Sequence, residues 1–169
     1  MEFVVHRINL SGGGVPKRPV EQAQLGREGF VGDWQNDRKH HGGPERAVCL
    51  YALSLIELLR SEGHPIEPGS VGENLTIGNL TPEQWGRLSP GAVLRFDGGA
   101  VLQIASYCAP CATIRDSFKE LNFKRIKQEL HPGMARLYAR VLAEGTIRSG
   151  ERGRIAEPAE VPSTLHRVP

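Results

Sequence analysis

The chain has few cysteines, few aromatic residues, little net charge and no long apolar run. Its 169 residues include three cysteines, an odd and low number that argues against a disulfide framework. The formal charge is +2, so neither nucleic acid nor an anionic membrane is expected as a partner. No stretch approaches the ~18 apolar residues of a membrane span. Glu2, His6 and Arg7 interrupt any signal-peptide pattern at the start. The expectation is a cytoplasmic protein.

Glycine and proline are abundant, at 20 and 12 residues, and such frequent turn signals suit a β-rich fold better than a helical bundle. The length fits one domain. Phe3–Asn9 reads as an opening strand with imperfect alternation, and Arg46–Tyr51 as a mostly apolar strand. Leu53, Ile56 and Leu59 mark a helical face that ends at Gly63. Thr81 and Pro82 have the pattern of a capped helical turn. Asp97-Gly98-Gly99 predicts a hairpin between strands at 92–96 and 101–105, and further strands are expected from Gly133 to Ile155. The fold class is mainly β: a single domain over residues 1–156, built around a β-barrel with a few short helices. Residues 157–169 read as a Pro-rich tail.

Three polar segments and a pair of thiols stand out against this frame. Ser11-Gly12-Gly13-Gly14-Val15-Pro16-Lys17 offers a hydroxyl, an ammonium and a glycine-rich backbone, a composition that can cradle a phosphate or simply turn a hairpin. It lacks the ending of a Walker loop. Gly29–Gly43 concentrates Asp33, Arg38, His40 and His41 before Gly42 and Gly43, without strand or helix periodicity. Such loops on a rigid scaffold often carry sites, although charge runs are commonly only solvated faces. Glu73 and Asn74 open a strand, either to face a pocket or to cap a turn.

Cys108-Ala109-Pro110-Cys111 lies between the apolar run Val101–Ala105 and a helix-like run from Thr113 to Leu121. Cys111 is thereby expected at a helix start, where backbone N–H groups favour a thiolate. The spacing also fits a dithiol redox motif or half a zinc site completed by His40 or His41, but no second ligand pair completes the zinc pattern. A thioredoxin-like arrangement would place the motif early in a βαβ pattern, which this chain lacks. Two inert structural thiols are the plain alternative. Cys49, inside a strand, reads as a small buried hydrophobe.

Taken in order, these segments resemble the MOSC domain family, named after the C-terminal domain of molybdenum cofactor sulfurase. The resemblance is carried by Asn9–Lys17, by Gly32–Asp37 running into His40-His41-Gly42-Gly43, and by Ala47–Tyr51. Pro68–Leu75, Pro110-Cys111 and Tyr138–Gly145 extend it over roughly residues 3–156. It implies a barrel-containing fold and a single key cysteine, Cys111. In members that bind the molybdenum cofactor (molybdopterin), this cysteine ligates the metal. Other members are proposed to carry sulfur on it as a persulfide. Ser11 and Lys17 would match the region that helps hold the pterin phosphate. Asp33, Arg38, Gly42, Gly43, Glu73 and Asn74 would line the pocket.

The resemblance therefore implies reduction of small N-hydroxylated compounds at a Cys111-ligated molybdenum, with His40 or His41 supplying a proton. Its alternative is a sulfur carrier holding a persulfide on Cys111 and working with a donor or acceptor protein. The pyridoxal-phosphate-binding aminotransferase-like domain of fused relatives, a flavin domain and an iron–sulfur motif are all missing, so redox turnover would need an external electron donor. Members more often have an arginine ahead of the Pro-Cys pair, where this chain has Tyr107, Cys108 and Ala109. An anionic ligand would have to be held differently on that side. Cys108 would be the thiol able to resolve a modified Cys111.

Overall fold

Strand β1, Glu2–Leu10, is the seam of the molecule, because it pairs with three other strands. The structure is a computed structural model, and residues 1–34 and 42–156 are described. After β1 come β2 (Arg18–Val20), β3 (Gln22–Gly26), β4 (Gly29–Phe30) and β5 (Val48–Ala52). Helix α1 (Leu53–Ser61) leads to β6 (Leu75–Gly78), and α2 (Pro82–Gly86) to β7 (Val93–Phe96) and β8 (Val101–Cys108). A run of 3₁₀ turns precedes β9 (Arg136–Ala143), β10 (Gly145–Arg148) and β11 (Arg152–Ala156).

The barrel runs β11-β7-β8-β9-β5-β6-β1 and closes where Phe3 of β1 pairs with Gly153 of β11. Closure removes the exposed edges that an open sheet would present. Strand β2 extends from the C-terminal half of β1, and β10-β3-β4 form a second, small sheet. The β5–β6 pair is parallel, and α1 lies in the crossover that a parallel pair requires. The imperfect alternation in β1 has a structural cause. Its register against β6 shifts between Val5 and Arg7, so Val5 and Ile8 both point into the core.

Leu50, Leu75, Ile77, Leu102, Ile104 and Ile155 fill the barrel, while Leu55, Ile56 and Leu59 of α1 pack against it. Each fully buried leucine or isoleucine contributes about 1.5–3 kcal/mol relative to an exposed one. Thr81 caps α2 as the sequence implied, and Gln84 makes the cap reciprocal by accepting the Thr81 N–H.

One expectation fails. The run from Thr113 to Leu121 is not an α-helix but two 3₁₀ segments, Ala112–Ser117 and Lys119–Leu121, separated by an extended Phe118. Tertiary contacts override the helical pattern. Phe118 is buried with its ring edge-on to His64, and the Ser117 hydroxyl donates to the Ser70 carbonyl. A segment this short and irregular has no useful macrodipole to offer Cys111. The Pro-rich tail, residues 157–169, lies outside the described residues, as do Arg38, His40 and His41.

Candidate functional site

Asp33 gathers the first group of predicted residues. Its Oδ2 accepts from Lys17 Nζ at 2.6 Å and from Asn74 Nδ2 at 2.8 Å, while Oδ1 accepts the Ser11 N–H at 2.9 Å. The Lys17 and Asp33 side chains are only 7% and 5% exposed, so this is a buried ion pair with its hydrogen bonds made. Four residues expected from sequence, Ser11, Lys17, Asp33 and Asn74, thus share one polar network.

Asn74 is the hub of the scaffold beneath it. Its side-chain oxygen accepts the Cys49 N–H at 3.0 Å, and its amide also donates to the Asn9 carbonyl at 3.3 Å. The Asn74 backbone does the same work, donating to the Cys49 carbonyl and accepting from the Asn9 N–H, each at 2.7 Å. It therefore stitches β1 to β5 just before β6 begins. Glu73 is fully buried; its Oε1 accepts the Gly69 N–H at 2.7 Å and the Thr76 hydroxyl at 3.0 Å, while Oε2 has no partner. Burial raises its carboxyl above the usual range, against the opposing pull of the Gly69 and Thr76 bonds and the Arg136 charge. Glu73 and Asn74 are thus buried supports of this loop. Gly69 lets the loop approach closely: its φ is +86°, and a Cβ there would collide with the Lys17 carbonyl.

The thiols divide differently from the Cys-x-x-Cys spacing. Cys108 is the last residue of β8 and is buried, and its packing partners are Cys49 and Tyr138. Cys111 is partly exposed, extended at φ −129°, and caps the first 3₁₀ segment without a side-chain hydrogen bond. Neither turn nor bend folds Cys108 back on Cys111. The thiol packed against Cys108 is that of Cys49.

Arg136, the first residue of β9, is the functional candidate that sequence reasoning missed. It pairs in register with Cys108, is buried, and donates through Nη1 to the Val71 carbonyl and through Nη2 to the Ala109 carbonyl at 3.3 Å. A guanidinium from the neighbouring strand thus holds the Ala109 carbonyl, two residues ahead of Cys111. Gly72 lies between Arg136 and the Ser11–Lys17 loop: an added Cβ there would lie 3.8 Å from Arg136 Nη1 and 3.3 Å from Val15 Cγ1. A charged residue opening an otherwise mostly apolar strand was the available signal, but only the β8–β9 register gives it meaning.

Gly42 and Gly43, at φ +112° and +81°, lead into the 3₁₀ turn Pro44–Arg46, with the Gly43 carbonyl accepting from Arg46. A separate cleft of about 440 Å³ is lined by Arg27, Pro44, Glu45, Arg140 and Glu144, and by none of the predicted residues. Among the described residues no cluster of three or more His, Cys, Asp or Glu side chains could hold a metal.

Comparison with known proteins agrees with this architecture. A family model described as the MOSC domain matches residues 37–153. The uncharacterized protein YflK of Bacillus subtilis (strain 168) is 37% identical over 141 residues, covering 81% of this chain and 60% of YflK. Protein YiiM of Escherichia coli (strain K12) is 28% identical over 104 residues, covering 59% of this chain and 45% of YiiM. The matched regions thus span about half of these curated relatives. Among solved structures, the YuaD protein from Bacillus subtilis superposes with a TM-score of 0.72 at 14% identity, covering 92% of this chain and 96% of that one. YiiM from Geobacillus stearothermophilus gives 0.69 at 22% identity, covering 92% and 75%.

Proposed function

Since this chain belongs to the MOSC domain family, we propose that it binds the molybdenum cofactor through Cys111 and reduces small N-hydroxylated compounds. The observation that carries this reading is the state of Cys111 itself: a free, partly exposed thiol three residues beyond the end of β8, without a side-chain hydrogen bond. The donor set fits one soft ligand, and thiolate suits a high-valent metal that also carries a dithiolene. When bound, the cofactor would supply the two-electron chemistry.

The protein's own contribution is rigidity and charge. Asp33 clamps the Ser11 and Lys17 ends of the glycine loop to Asn74, so the loop holds one shape without a ligand. Because Lys17 is paired with Asp33, its ammonium contributes little net charge towards a phosphate, and the loop would act mainly through its backbone. Arg136 holds the Ala109 carbonyl and so sets the approach of the chain to Pro110-Cys111.

The test is metal and pterin analysis of protein made in cofactor-competent cells. Near-stoichiometric molybdenum that disappears in Cys111→Ser supports the reading. No metal or pterin, together with a sulfane sulfur trapped on Cys111, overturns it in favour of the sulfur carrier. Full activity of Cys111→Ser in either assay removes both.

A further inference from the structure

The cleft between Arg27 and Arg140 takes no part in the Asp33 network or in the surroundings of Cys111, yet it has the construction of a binding site. Its volume of about 440 Å³ falls in the range of small-molecule pockets. Its walls come from both sheets: Arg140, Val141 and Leu142 from β9 of the barrel, Arg27 from the turn between β3 and β4, and Pro44 and Glu45 from the 3₁₀ turn. Glu144, the residue between β9 and β10, ties the two sheets together by accepting the Arg27 N–H at 2.9 Å. Along β9, Arg140 stands opposite Gln103, whereas Arg136 stands opposite Cys108. At ~3.3 Å per residue, the cleft is roughly 13 Å from the cysteine end of that strand.

The charged groups of the cleft are positioned but not saturated. Arg140 is braced from the interior: its Nε donates at 3.0 Å to the side-chain oxygen of Gln103, which is 4% exposed, and the Gln103 amide donates to the Gly91 carbonyl at 3.2 Å. Its Nη1 donates to Glu45 Oε1 at 3.2 Å, and its Nη2 has no partner among the described residues. The turn that carries Arg27 is pinned through its backbone, while the Arg27 guanidinium has no partner among the described residues. Both glutamates make their bonds through Oε1, which leaves Oε2 of each available. Two cations and two anions thus line one space, beside an apolar wall of Pro44, Val141 and Leu142. A polyanion or a simple cation meets as much repulsion as attraction there, whereas a short molecule carrying one charge of each sign matches both.

We propose that this cleft binds a small zwitterion, an α-amino acid with an apolar side chain. Arg140 and Arg27 hold its carboxylate through charge-assisted hydrogen bonds, and the unengaged oxygens of Glu45 and Glu144 hold its ammonium. The side chain lies against Pro44, Val141 and Leu142. The Arg140–Glu45 pair does not compete strongly, because its side chains are 41% and 63% exposed and water screens them.

The test is calorimetric titration of the whole protein with L-leucine, and with isocaproate and isoamylamine, which keep the leucine side chain but carry only the carboxylate or only the ammonium. Saturable binding of leucine is expected, with each control weaker by about tenfold or more because it loses charge-assisted contacts. Arg27→Met should weaken leucine by about tenfold without affecting the fold, since that guanidinium has no partner among the described residues. Arg140→Met should weaken it further in protein shown by circular dichroism to be folded; should it fail to fold, Arg27→Met decides alone. No saturable heat with leucine overturns the proposal. So does either control binding as tightly as leucine, or an unchanged affinity in Arg27→Met. Cys111→Ser should bind leucine as the unaltered protein does, so this site and the molybdenum reading stand or fall separately. Loss of leucine binding in Cys111→Ser would place the ligand at the thiol and overturn the assignment to the cleft.

Discussion

Lys17 and Arg136, two buried cations among the described residues, are handled in opposite ways. Lys17 meets a carboxylate at 2.6 Å, and both oxygens of that carboxylate also accept from Ser11 or Asn74. Arg136 meets carbonyl oxygens and keeps one nitrogen without a partner. The first is a closed clasp in which each member depends on the other. The second has two neutral acceptors, an unpartnered nitrogen and a sulfur in register across the ladder. The difference separates a structural ion pair from a charge available to tune a neighbour.

The clasp should be the easier of the two to ruin. Asp33→Ala strands a buried ammonium and removes the acceptor of Ser11 and Asn74, so it is expected to destabilise by about 3–5 kcal/mol. Urea unfolding measures this, and the double change Lys17→Met with Asp33→Ala should recover a large part of the loss. If the double variant is no better than Asp33→Ala, the stranded charge is not the cause. Arg136→Met removes a cation together with its unpartnered nitrogen and leaves only two carbonyls short of a donor. About 1–3 kcal/mol is expected. A loss as large as that of Asp33→Ala would erase the contrast between the two cations.

Much of the frame of this contrast was legible in sequence, and its sharpest part was not. Ser11, Lys17, Asp33 and Asn74 stand out because polar residues among glycines seldom occur without a reason, and they form one network. The strands at 48–52, 93–96 and 101–108 follow from apolar runs bounded by turn signals. Strand β3 escaped because it offers only Ala23 and Leu25 as buried apolar positions. The false helix after Cys111 arose from local pattern, whereas Phe118 and Ser117 obey contacts with His64 and Ser70 far away in the chain. Arg136 was hidden for a related reason. Its meaning lies in being opposite Cys108, and register across a barrel is not a local property.

The pH dependence of stability sharpens the contrast from the acidic side. The carboxyl of Glu73 is raised in the folded state, so the native protein holds that proton more tightly than the unfolded chain does. The contribution of Glu73 is therefore fully present below the unfolded carboxyl value, about 4.3, and falls away as pH rises through the higher native value. Glu73→Gln keeps an oxygen for Gly69 and Thr76, and it should flatten that decline while changing stability below the window by no more than about 1 kcal/mol. Urea unfolding across the pH range checks it. A decline equally steep in the variant would mean that Glu73 is ionised in the native state and could serve Arg136 as its counter-charge.

A third cation, Arg125, provides a more solvent-exposed reference. Arg125 grips Glu62 with two bonds, at 2.7 and 3.0 Å, with side chains 21% and 33% exposed. The Arg125 bond holds the Glu62 carboxyl below its usual range, partly opposed by burial, and His64 adds to the lowering. The geometry is better than that of either buried cation, yet water and salt screen the pair, so Arg125→Ala should cost only about 0.5 kcal/mol. Because the native value is depressed, that contribution is present above the unfolded carboxyl pKa and is lost as pH falls through the native one. Raising the salt concentration should shrink it further, while the Lys17–Asp33 clasp, shielded from solvent, should hardly respond. An Arg125→Ala loss as large as that of Asp33→Ala would show that bond geometry, rather than burial, decides what these cations contribute.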